Sequence, residues 1–103
     1  LSTANHPDAI FAVSDVFAIA AAKAAAAHHL KIPDDLVIVG FDNIQLLSAV
    51  STPPISSVQQ PRFQMGYTAG EILYDCITTG ISSLPQRIIL PTELIIRSSS
   101  LLK

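Results

Sequence analysis

The stretch Ile32–Asn43, reading IPDDLVIVGFDN, decides the fold. It opens on a proline turn, runs through Leu36, Val37, Ile38 and Val39, and stops on Gly40 before presenting Phe41 and Asp42. A short apolar, mostly β-branched run bounded by turn signals is the pattern of a strand covered on both faces, as parallel sheets contain. Gly40 permits a sharp change of direction and close backbone approach. Asp42 is therefore expected to leave the sheet at the carboxyl end of its strand, where open α/β folds gather ligand groups.

Upstream, Asp8–Val13 (DAIFAV) reads as a first buried strand after the His6-Pro7 turn. Ser14 is a good N-cap, and Asp15 reads as a first-turn charge that suits the helix macrodipole. The helix that follows runs to about His29 and is loaded with alanine, the strongest intrinsic helix former. Strand, helix and strand at this spacing make a βαβ unit, with parallel pairing and a right-handed crossover. Downstream, Ile44–Val50 is a short helix or irregular loop ended by Ser51-Thr52-Pro53-Pro54, and Ser56–Gln60 is a short third strand. Pro61 opens a second helix to about Thr79, with Met65, Ala69, Ile72, Leu73 and Cys76 on an apolar stripe and Gly80 as its terminator. Gln86–Leu90 and Thr92–Arg97 are two more strand candidates, separated by Pro91, which cannot donate to a ladder. The fold class is α/β: a parallel sheet in a three-layer sandwich.

The chain has 103 residues, half of them hydrophobic, which allows one domain or part of one. A net charge of −2 and six scattered Lys and Arg give no footprint for nucleic acid. The single cysteine, Cys76, excludes an internal disulfide, fits a reducing compartment, and reads as core from its place on the stripe. No apolar run approaches the roughly 18–20 residues of a membrane span, and the first residues show no signal-peptide pattern. Asp34 and Asp35, following Pro33, read as loop residues rather than a metal or acid–base pair. His28 and His29 are adjacent, point to different sides of a helix, and do not chelate as an i, i+4 pair would. No nucleophile–base pair or phosphate loop has local support, so neither an enzyme nor a cofactor is expected. Asp42 keeps two readings on spacing alone: a ligand carboxylate, or a turn residue bonding backbone two positions on.

Three blocks in order, VSDVFAIAAAKAAAAHHLKIPDDLVIVGFDNI, TPPISSVQQPRFQMGYTAGEIL and ILPTELIIRSS, resemble the end of the effector-binding domain of LacI/GalR-family transcription regulators. The resemblance spans nearly the whole chain. It implies a type I periplasmic-binding-protein-like fold, in which two α/β subdomains close on a small ligand and an amino-terminal helix-turn-helix reads DNA as a dimer. On this likeness residues 1–60 and 84–103 belong to the C-terminal subdomain. On the same likeness residues 61–83 form a helix that packs on the N-terminal subdomain, most of which is absent here together with the headpiece. The likeness places Ser14, Asp42 and Gln60 in the effector cleft. Phe41 is the one aromatic residue beside it. The helix after Ser14 and the loop after Asp42 resemble subunit-interface regions, so a homodimer or higher oligomer is expected. The implied protein is a cytoplasmic regulator that binds a sugar or related small molecule. It touches operator DNA only through the headpiece and uses no membrane. The alternative with the same fold is an extracytoplasmic sugar-binding protein of a transporter.

Overall fold

The computed structural model describes residues 5–80 and 87–102. They fall into two compact units, one holding the residues up to Gln59 and from Glu93 onward, the other Gln60–Thr92. The first unit is a four-stranded sheet in the order β1 (Ala9–Phe11), β2 (Val37–Phe41), β3 (Ser56–Gln59), β4 (Glu93–Ile95). The first three strands are parallel and β4 is antiparallel to β3. The carboxyl ends of β1, β2 and β3 therefore share one edge of the sheet.

Helix α1 (Asp15–Ala27) makes the crossover from β1 to β2, as the alanine run dictates. Ser14 caps it in extended backbone, its Oγ accepting the Phe17 N–H at 3.5 Å. The buried positions, Asp15, Ala18, Ala22 and Ala25, recur at three- and four-residue intervals and form one stripe. Side chains of one carbon let the helix axis approach β2 closely. A Cβ on Gly40 would lie only 3.3 Å from that of Ala18. Leu36, Ile38 and Ile55 fill the remaining space, with Ile10, Ile19, Leu30 and Ile32 around them. Each fully buried aliphatic side chain of this size contributes about 1.5–3 kcal/mol. His28 and His29 are exposed at the helix end, His29 with φ of 60°. Asp35 closes the following turn by accepting the Lys31 N–H at 2.8 Å.

Residues of one strand alternate between sheet faces. Ile38 and Gly40 turn toward α1, so Val37, Val39 and Phe41 lie on the other face with Phe11, which is 69% exposed. Along β1 and β2 that second face is apolar, with Val37, Val39 and Phe41 half-buried. It carries a concavity of about 350 Å³ lined by Phe11, Ala12, Val13 and Phe41.

The turn after β4 closes the sheet from below. Because β3 starts opposite Val39, the β2 backbone one residue earlier, at Ile38, has a strand only on its β1 side. Ser99 takes the other side: its carbonyl accepts the Ile38 N–H at 3.1 Å and its Oγ donates to the Ile38 carbonyl at 2.6 Å. The same Oγ accepts the Ser56 N–H at 2.8 Å.

The second unit holds α3 (Arg62–Thr79), ended by Gly80 in the left-handed conformation that favours glycine. It has no buried residue. Met65, Thr68, Ala69 and Ile72 frame a concavity of about 250 Å³ with Ile88 and Leu90, and Cys76 is half-buried. Of the expected Gln86–Leu90 strand, Gln86 lies outside the described residues and 87–90 form no strand. An apolar run becomes a strand only when a neighbouring ladder accepts it, and β4 alone takes the place beside β3. Thr92–Arg97 contracts to Glu93–Ile95.

Candidate functional site

The carboxyl edge of the parallel strands gathers Ser14 after β1, Asp42 and Asn43 after β2, and Gln59 at the end of β3. Phe41 ends β2, pairs with Val58, and meets Phe11 with ring centroids 6.4 Å apart. Asp42 follows, half-buried, and its N–H donates to the Val58 carbonyl at 2.9 Å. The backbone then does something uncommon. Asp42 has φ of 96° and Asn43 of 52°, two consecutive non-glycine residues on the positive side. Asn tolerates that region through local hydrogen bonds, but such residues still cost about 1–3 kcal/mol each and persist only where neighbours fix them.

Those neighbours form a buried polar network. Asp15, fully buried, accepts the Ile44 N–H on Oδ2 at 2.6 Å and the Ser57 hydroxyl on Oδ1 at 2.7 Å. Ser57 Oγ in turn accepts the Asn43 N–H at 2.9 Å. Asn43 Nδ2 donates to Gln59 Oε1 at 2.9 Å, and Asn43 Oδ1 accepts the Ser48 hydroxyl at 3.2 Å. Arg97 Nη1 donates to Ser48 Oγ at 3.2 Å and to the Ile55 carbonyl at 2.8 Å. A buried carboxylate is tolerated when donors surround it and when it lies at a helix N-terminus, and Asp15 meets both conditions. Helix α2 (Gln45–Ser48) starts at Ile44 with no side-chain cap of its own. Asp15, 29 residues away, accepts the N–H of that cap residue itself.

Of the four residues expected in the cleft, Phe41 and Asp42 are neighbours on the edge, and Ser14 sits on the same edge as the cap of α1. Gln60 follows β3 and falls in the second unit. Asp15 stands in the first turn of α1 as expected, and beyond that it is the buried centre of the network beneath Asp42. A single carboxylate at a helix start carries no local sign of burial. The available signal was Gly40, where a Cβ would approach Asp15 Oδ1 to 2.5 Å.

Residues 1–100 match the periplasmic binding protein-like domain family. The chain belongs to that family. It is 43% identical over 100 residues to the HTH-type transcriptional regulator DegA of Bacillus subtilis, covering 93% of this chain and 28% of that protein. Among solved structures, an uncharacterized protein from Actinobacillus succinogenes superposes with a TM-score of 0.86 at 38% identity, covering 97% of this chain and 36% of that one. A complex of the transcriptional regulator CelR with cellobiose gives 0.82 at 34% identity, over 90% of this chain and 28% of that one. The chain is thus similar to part of LacI-type regulators and spans about a third of the length of these relatives.

Proposed function

We propose that the chain is the C-terminal part of the effector-binding and dimerisation domain of a cytoplasmic, sugar-responsive transcription regulator. The observation that carries the reading is the Asp42 turn: a carboxylate at the carboxyl edge of a parallel sheet, in a fold whose relative CelR holds cellobiose. Sugar hydroxyls need hydrogen-bond partners when buried, and the edge offers Asp42 and Ser14, with Phe41 as an apolar neighbour. Gln60 completes the set. Residues 1–60 and 84–103 act as one lobe, and residues 61–83 pack on the other lobe of the whole protein. Apolar side chains on α1 and after Asn43, namely Val16, Phe17, Leu46 and Val50, are exposed and suit a subunit interface. Operator DNA is contacted by a separate headpiece.

The mechanism is a population shift. Sugar between two lobes favours one relative orientation and moves the paired headpieces, and the shift equals the difference in affinity between the two states. In the full-length protein, Asp42→Ala is expected to abolish the effect of sugar on operator affinity and to leave sugar-free operator binding unchanged. Fluorescence-anisotropy titrations with and without sugar measure both. A normal response in that variant would defeat the reading.

A further inference from the structure

We propose that Asp15 is a positioning residue for the Asp42 turn: its carboxylate, rather than any local preference, holds Asp42 and Asn43 in their positive-φ conformation at the sheet edge. The ligand side of this inference rests on the function proposed above; the conformational side stands on geometry alone. Three successive amides fix the turn. The Asp42 N–H ends on the Val58 carbonyl of β3. The Asn43 N–H ends on Ser57 Oγ and the Ile44 N–H on Asp15 Oδ2. The last two converge on one carboxylate, because the Ser57 proton goes to Asp15 Oδ1.

The chemistry demands a carboxylate at this place. An ionised carboxyl is acceptor-only on both oxygens, so it takes the Ile44 N–H and the Ser57 O–H together. Asparagine would take one of them and present an NH2 group to the other. If that group faces Ser57, the hydroxyl oxygen already accepts the Asn43 N–H and its own proton loses its acceptor. Gly40 supplies the space: a Cβ there would meet Asp15 Oδ1 at 2.5 Å. The side-chain cap of α1 is Ser14, which accepts the Phe17 N–H. The carboxylate serves residues 29 and 42 positions away.

Hydrogen exchange on the intact protein, read at single amides by mass spectrometry with electron-transfer fragmentation, tests this. Asp15→Ala, which removes both acceptors at once, should exchange Asn43 and Ile44 about 10- to 100-fold faster, while Ala12 and Leu30, bonded within the sheet and helix end, stay protected. Ser57→Ala should release Asn43 alone, a selectivity that general loosening does not produce. Calorimetric titration of d-ribose and cellobiose should show at least about tenfold weaker binding in Asp15→Ala for whichever sugar the wild type binds. Unchanged exchange at both amides, acceleration spreading to Ala12 and Leu30, or undiminished affinity for such a sugar overturns the proposal. A wild type that binds neither sugar counts against the proposed function, and the ligand-free exchange pattern then decides the role of Asp15.

Discussion

The two long helices make opposite use of their side chains. Helix α1 is built of alanines and hides Asp15, Ala18, Ala22 and Ala25 against the sheet. Helix α3 is longer, carries Phe63, Met65, Tyr67, Leu73, Tyr74 and Ile77, and hides none of them; Phe63 is 82% exposed. Burial follows from the surface a side chain meets, not from its hydrophobicity. One carbon suffices on α1 because Gly40 and Ala18 bring backbone to backbone. On α3, Gly66 and Gly70 leave open space instead. Both helices still form, since capping and intrinsic propensity act locally while packing decides what is covered.

Substitutions sharpen or break this contrast. The largest effect is expected at Leu36→Ala, beneath α1, which removes a fully buried side chain. It should destabilise the chain by about 2–5 kcal/mol, read from urea unfolding midpoints at constant slope. Gly40→Ala comes next. The added methyl collides with Asp15 Oδ1, and overpacking of this kind costs about 1–3 kcal/mol. The smallest effect is expected at Leu73→Ala on α3, which is 61% exposed. It should change stability of this 103-residue chain by no more than about 0.5 kcal/mol. A Leu73 cost matching that of Leu36 would break the contrast. A larger Leu73 cost in the full-length protein than in the chain would sharpen it, since the second lobe would then supply the missing cover.

Much of the architecture was legible because its signals are local. The apolar run Leu36–Val39, the alanine helix, and the glycine after α3 each act within a few residues of themselves. The placement of Asp42 after a strand was legible for the same reason, although among the described residues β2 is buried on the α1 face alone and not on both as its apolar run implied. The polar network was not. Asp15, Ser57, Ser48 and Arg97 are ordinary residues where they stand in the chain, and their meaning arises only when residues 29 to 49 positions apart meet. Residues 87–90 show the reverse failure: Ile88 and Ile89 have strand chemistry, but the position beside β3 went to Glu93–Ile95.

The Ser99 turn sets an order on synthesis. Ile38 and Ser56 depend for their backbone partners on a residue made 61 and 43 positions later. A nascent chain that has reached β3 but not Ser99 carries exposed peptide groups at the base of its central ladder. The base of the central ladder therefore closes only once the turn that carries Ser99 has been made.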